Sequence, residues 1–187
     1  MAIGVLAFHG DFAEHLEILR TLTVTGLEVR SLDDLKKIDR LIIPGGESTV
    51  ISRFLAETGV GKEIIRRVHE STLAVYGTCA GAILIARNIT GKNAPRPLGL
   101  IDITIDRNAY GSQMQSFETE IIVKGIAKKL PVAFIRAPII TKVGTDVQIL
   151  SMHKGHPVLV QQGRILAGTF HPEVREQFAV HKLFLRL

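Results

Sequence analysis

Cysteine is nearly missing from this chain: Cys79 is the only one in 187 residues. That excludes an intramolecular disulfide and any cysteine-built zinc cluster. Tryptophan is absent and aromatics make up only 5%, so a surface for stacking nucleic-acid bases has little to work with. No apolar run approaches the length of a transmembrane helix. The first ten residues, Met1 to Gly10, carry no basic leader and too short an apolar stretch for a signal peptide. No internal repeat, low-complexity segment or phosphate-loop motif occurs.

What is present describes a globular protein: 46% hydrophobic and 22% charged residues, with a net charge of +5. The basic residues come as isolated pairs, such as Arg66-Arg67 and Lys128-Lys129. They read as dispersed surface charge, and neither nucleic acid nor membrane is expected as a partner. Residues 1–187 are expected to form a single domain. The cytoplasm is the expected compartment, where a lone thiol stays reduced. Asn88-Ile89-Thr90 matches the glycosylation pattern, but without a secretion signal it reads as chance.

Short apolar runs alternate with amphipathic stretches through the first half. Strands are predicted at Ile3 to Phe8, Leu27 to Leu32, Leu41 to Ile43 and Leu73 to Tyr76. Helices are predicted at Phe12 to Leu22, from Ser48 as a capping residue, at Lys62 to Glu70 and at Ala82 to Ala86. A proline- and glycine-bearing loop follows over residues 91 to 99. Then come short β-branched runs at Ile101 to Ile105, Glu118 to Val123, Val132 to Ile135, Val147 to Met152, Val158 to Gln161 and Arg164 to Thr169. Hairpin turns fall at His153–His156 and Gln162-Gly163, and a closing helix at about Arg175 to Leu187. The fold class is therefore α/β: three layers, a mostly parallel central sheet flanked by helices, and a small antiparallel excursion in the second half.

Three segments carry chemistry. Gly77-Thr78-Cys79-Ala80-Gly81 follows a strand and precedes a helix, the pattern of a nucleophile elbow with Cys in the reactive position. The sharp turn exposes the sulfur, and free N–H groups in the next helical turn favour its thiolate. His171-Pro172-Glu173 follows another apolar strand. Pro172 keeps His171 extended, and Glu173 is near enough to hold one ring nitrogen. In parallel sheets the carboxyl ends of strands share one edge, which brings these distant segments within reach of each other. Pro44-Gly45-Gly46-Glu47-Ser48 ends the third strand, and its paired glycines suit a backbone that approaches a ligand or presents an N–H. Of the seven histidines, His15, His69 and His181 read as helix-surface residues. His153 and His156 flank a turn, with no Cys, Asp or Glu nearby to complete a metal site.

Together these segments resemble the class I glutamine amidotransferases, with a Cys-His-Glu triad. The resemblance extends to Val5-Leu6-Ala7 with Gly10, Glu14-His15, Pro44 to Thr49, Arg107-Asn108-Ala109-Tyr110-Gly111, Phe134 to Pro138 and Phe170 to Glu173. Those residues are similar to the glutaminase subunits of pyridoxal 5′-phosphate synthases, over essentially the whole chain. The resemblance implies hydrolysis of L-glutamine to L-glutamate and ammonia, which passes to a partner synthase subunit in a hetero-oligomer. It implies Cys79 as nucleophile, His171 as base and Glu173 as orienting group, with no cofactor and no metal. It implies Gly46 and Ala80 as oxyanion donors, and Gly46, Glu47, Ser48, Arg107, Ile135 and Arg136 as the glutamine-binding residues. One position departs from the pattern: His9 stands before Gly10 where the family usually has Gln. A titratable ring there predicts an additional pH dependence of the activity. A non-catalytic binding subunit on the same fold and another cysteine hydrolase of similar sheet are the alternative readings.

Overall fold

A computed structural model of the chain describes residues 2–107, 116–175 and 178–187. Asn108 to Gly111 of the Arg107–Gly111 motif lie outside the described residues. The first half runs β1 (Ala2–Leu6), α1 (Phe12–Thr21), β2 (Gly26–Val29), α2 (Leu32–Leu35), β3 (Ile38–Ile43), α3 (Ser48–Glu57), α4 (Val60–His69), β4 (Ala74–Thr78) and α5 (Ala80–Ile85). The second half runs β5 (Ala86–Thr90), β6 (Ile101–Asp106), β7 (Phe117–Ile121), β8 (Leu130–Phe134), β9 (Ile139–Val143), β10 (Gln148–His153), β11 (His156–Gln162) and β12 (Ile165–Gly168). A 3-10 turn at Glu173–Arg175 and helix α6 (Phe178–Phe184) close it.

The central sheet has seven strands in the order β10-β11-β12-β4-β3-β1-β2. From β12 to β2 the neighbours are parallel, while β10, β11 and β12 form an antiparallel meander at one edge. A three-stranded sheet, β5-β6-β9, and the hairpin β7-β8 stand beside it. The antiparallel excursion is thus partly an extension of the central sheet. The meander's first turn uses Lys154 and Gly155, both at positive φ (47° and 81°), which matches the twist of the flanking strands.

Strand periodicity divides the core between the two faces of the sheet. Leu41 and Ile43 of β3 and Val75 of β4 pack with α3, α4 and α5 on one face. Ile42, Ala74 and Tyr76 point the other way, toward Leu19 of α1 and Val180 and Phe184 of α6. Each fully buried Ile or Leu contributes roughly 1.5–3 kcal/mol, so the alternation fixes the register of the central strands.

Several sequence expectations change. Helix α3 is capped by Glu47, not Ser48: Glu47 has extended backbone and its carboxylate accepts from the Thr49 N–H at 3.2 Å, leaving Ser48 as the first helical residue. Helix α5 begins directly after Cys79. The short strands β5 and β9 and the one-turn α2 add to the predicted elements, the last held by Ser31, which accepts from the Asp34 N–H at 3.2 Å. His15 and His181 are not surface residues; both are 0% exposed, because each lies on the side of its helix that faces the sheet. His69 is exposed.

The chain order β2-β1-β3-β4-β12 reverses direction between β1 and β3. Such a switch point leaves a crevice at the carboxyl edge of the sheet, where the loops after the two strands diverge.

Candidate functional site

The crevice at that edge is a cleft of about 350 Å³. The loop after β1 supplies His9 and Asp11, the turn after β3 supplies Gly46, Glu47 and Ser48, and the elbow after β4 supplies Cys79 and Ala80. Ile83 of α5, Arg107, Ile135, Arg136 and His171 complete the lining. Of the residues expected to act in catalysis or glutamine binding, all but Glu173 line this cleft; Glu173 lies buried behind His171.

Cys79 sits at φ 48°, ψ −104°. This is a costly geometry for a residue with a Cβ, and the surroundings impose it. Its N–H donates to the Gly168 carbonyl of β12 at 2.8 Å, and its carbonyl accepts from Ile83 at 3.1 Å to start α5. The elbow closes tightly because Gly81 lets α5 lie on β3; a Cβ at that position would collide with the Ile43 carbonyl. The sulfur lies 3.9 Å from the Ile135 carbonyl and shares the cleft with the His171 ring.

His171 is fixed from three sides. Its N–H donates to the Ala133 carbonyl of β8 at 2.8 Å. Its Nδ1 meets Glu173 Oε1 at 2.7 Å and Asp11 Oδ2 at 3.3 Å. Burial works against a charged imidazole. Hydrogen bonds with Asp11, Cys79 and Glu173 outweigh it and push the His171 pKa up to about 12. The site therefore favours a protonated imidazole beside sulfur, the pairing in which a cysteine acts as thiolate. Burial pushes the Glu173 carboxyl up, and the hydrogen bond from His171 opposes that rise. Asp11 is held below its ordinary value by its hydrogen bond to His171, with burial opposing.

Asp11 was not among the residues singled out in the sequence. Its signal was its place: it follows Gly10 just past β1, on the same sheet edge as Cys79 and His171. Gly10, at φ 91°, is needed because a side chain there would strike the Gly45 carbonyl. That carbonyl accepts from the Asp11 N–H at 3.4 Å. In a planar trans peptide the Gly46 N–H points the opposite way. Gly45 is equally constrained, since a Cβ would press on the His171 ring and Asp11.

His9 ties the same turn. Its Nδ1 accepts from the Glu47 N–H at 3.3 Å, a bond that a protonated ring cannot make. Glu47 also accepts from Arg107 Nη2 at 3.2 Å, and Arg107 Nη1 donates to the Asn93 carbonyl at 2.7 Å. Arg107 and Arg136 place cationic groups beside Glu47 at the cleft, and Arg136 adopts a positive φ of 45°.

Among the described residues, Asp11, His171 and Glu173 bring three metal-type ligand atoms within 4.8 Å of one another. The hydrogen bonds at His171 Nδ1 already employ all three, so the group reads as the support of an imidazole. His153 and His156 flank their turn as expected, and the His153 ring stacks on Phe117 and Phe134 at 5.6 and 5.5 Å. No helix among the described residues is long and apolar enough to cross a membrane.

The architecture has close counterparts. Over its full length the chain superposes on a crystal structure of a glutamine amidotransferase with a TM-score of 0.94 and 43% identity, covering 98% of that chain. A second structure, PurLQS from Thermotoga maritima, shares the fold with a TM-score of 0.69 at 16% identity, over 99% of this chain and 97% of that one. In sequence the chain is 46% identical to the pyridoxal 5′-phosphate synthase subunit PdxT of Thermus thermophilus, over 99% of this chain and 96% of the relative. It is 44% identical to the subunit of the same name from Thermotoga neapolitana, over 100% and 99%. The model of the SNO glutamine amidotransferase family matches residues 5–187. This chain belongs to the SNO glutamine amidotransferase family.

Proposed function

We propose that the chain hydrolyses L-glutamine to L-glutamate and ammonia and delivers the ammonia to a synthase subunit that builds pyridoxal 5′-phosphate. The two subunits form a hetero-oligomer, and residues 1–187 act as a single amidotransferase domain in the reducing cytoplasm. One observation carries the reading. Cys79 is held in a strained elbow against an imidazole whose far nitrogen is bound by Glu173 at 2.7 Å.

The Cys79 thiolate attacks the side-chain amide carbon of glutamine, and the carbonyl π electrons move onto oxygen. The Gly46 and Ala80 N–H groups receive that oxyanion; one such donor is typically worth about 3 kcal/mol. Protonated His171 gives its proton to the amide nitrogen, the carbon–nitrogen bond breaks, and ammonia leaves a γ-glutamyl thioester. Neutral His171 then takes a proton from water as the water oxygen attacks the thioester. The second tetrahedral intermediate collapses to thiolate and the γ-carboxylic acid of glutamate, which loses its proton to solvent, and the imidazole is left protonated for the next cycle. Glu173 keeps Nδ1 protonated and the ring aligned throughout.

Substrate selection falls to Gly46, Glu47, Ser48, Arg107, Ile135 and Arg136. The cationic side chains suit the α-carboxylate, Glu47 suits the α-ammonium, and Ile135 covers the methylene stem. No cofactor enters any step. Glutamate release by the chain with and without the synthase subunit tests the reading, with Cys79→Ala as the inactive reference.

A further inference from the structure

His15 is fully buried on α1, does not line the glutamine cleft, and has no part in the steps above. Its Nδ1 lies 2.8 Å from His181 Nε2 of α6. Its Nε2 lies 3.3 Å from Thr78 Oγ1, in the residue before Cys79, and 3.6 Å from Glu173 Oε2. Glu173 spends Oε1 on His171, while Oε2 is buried without a hydrogen bond. A buried carboxylate oxygen in that state is costly unless a donor faces it. The His15 separation exceeds a hydrogen bond by a few tenths of an ångström, and catalytic contacts of free enzymes commonly shorten when substrate is bound.

The proton pattern follows from the neighbours. Burial, with His181 and His171 nearby, drives the His15 pKa well down, so the ring is neutral and carries one N–H. An ionised carboxylate only accepts, so the favourable tautomer places that proton on Nε2. Nδ1 is then the acceptor, and His181 Nε2–H the donor at 2.8 Å. The contacts leading inward from α6 then have consistent roles: His181 Nε2–H donates to His15 Nδ1, His15 Nε2–H faces Thr78 Oγ1 and Glu173 Oε2, and Glu173 Oε1 accepts from His171.

We propose that His15 is a positioning residue for the glutaminase reaction, its Nε2–H holding the second oxygen of Glu173 so that the first stays in line with His171. This rests on the reading of Cys79, His171 and Glu173 as the catalytic triad. The terminal torsion of Glu is broad, so without that restraint the carboxylate turns and the imidazole loses its alignment to sulfur. Because His15 touches no substrate, its loss lowers kcat and leaves KM unchanged.

Two measurements test this. The first needs no variant: the ¹⁵N–¹H correlations of histidine rings in the wild-type chain at neutral pH. His15 is expected as the neutral Nε2–H tautomer, and an Nδ1–H tautomer or a charged ring overturns the proposal. The second compares two amide substitutions in the complex with the synthase subunit. His15→Gln keeps a donor near the Nε2 position, and His15→Asn keeps one only near Nδ1. His15→Asn is expected to lower kcat about 10- to 100-fold at constant KM, and His15→Gln to retain kcat within about threefold. Equal kcat for the two variants, per folded site, overturns the proposal in favour of a purely structural histidine. Wild-type chain that releases no glutamate would instead remove the glutaminase reading, while the tautomer result would still stand for the contact itself.

Discussion

At the residue scale, reactivity is stored as backbone strain and paired charge. Positive φ at Cys79 is imposed by the Gly168 hydrogen bond and the start of α5. Among variants that both lack the sulfur, Cys79→Gly is expected to be more stable than Cys79→Ala by about 1 kcal/mol, since relief of roughly 1–3 kcal/mol of strain exceeds the entropic cost of glycine. Urea denaturation of the two inactive variants measures this, and the usual order, alanine above glycine, would show an unstrained elbow. Asp11 gives a pH signature. Its pKa is lowered from the ordinary 3.8 by the His171 hydrogen bond, against burial. Its contribution is therefore present above the unfolded value and lost as pH falls through the lowered folded one. Asp11→Asn is expected to be less stable than wild type near pH 6, with the gap closing on acidification below about pH 3.8. A gap independent of pH would separate Asp11 from the charge on His171. His171 has the opposite sign: its raised pKa contributes fully below 6.5 and is lost as pH rises toward 12.

At the scale of elements, the site depends on close backbone approach. Helix α5 can follow Cys79 directly only because Gly81 allows it to rest on the Ile43 carbonyl. Gly81→Ala is expected to cost about 3 kcal/mol, read as a lowered urea midpoint, and to displace the elbow with loss of glutaminase activity. A variant of wild-type stability and activity would show that the contact is not required. Elements were legible where one physical signal dominated. The buried strands β1, β3 and β4 read from their apolar runs, and the elbow from small residues flanking a nucleophile. Strands β5 and β9 were missed because neither is a continuous apolar run, and only one residue of the five in each is fully buried. The cap at Glu47 was missed because a serine stood next to it, and Ser48 instead turns inward as a buried residue of α3. His15 carried a readable sign, since Ile18 and Leu19 at helical spacing share its buried face. Polarity of the ring pointed outward instead, and only a buried partner such as His181 makes the inward place tolerable.

At the scale of the whole molecule, the topology does what no local pattern could. Reversal of strand order between β1 and β3 opens the crevice, and the parallel run out to β12 carries His171 to the edge already occupied by Cys79. The sequence carried the residues and their neighbours' spacing. It did not carry the support that Asp11 and His15 lend, because those contacts exist only once α1 lies against the sheet. For the whole chain the central claim is a cysteine glutaminase that serves a synthase. Its most direct test is glutamate release from L-glutamine by the purified chain, alone and with the synthase subunit, beside Cys79→Ala. The expected result is weak release alone, a marked increase in the complex, and none from the variant while it still folds and binds. Release that persists in Cys79→Ala, or none from folded wild type in the complex, would contradict it.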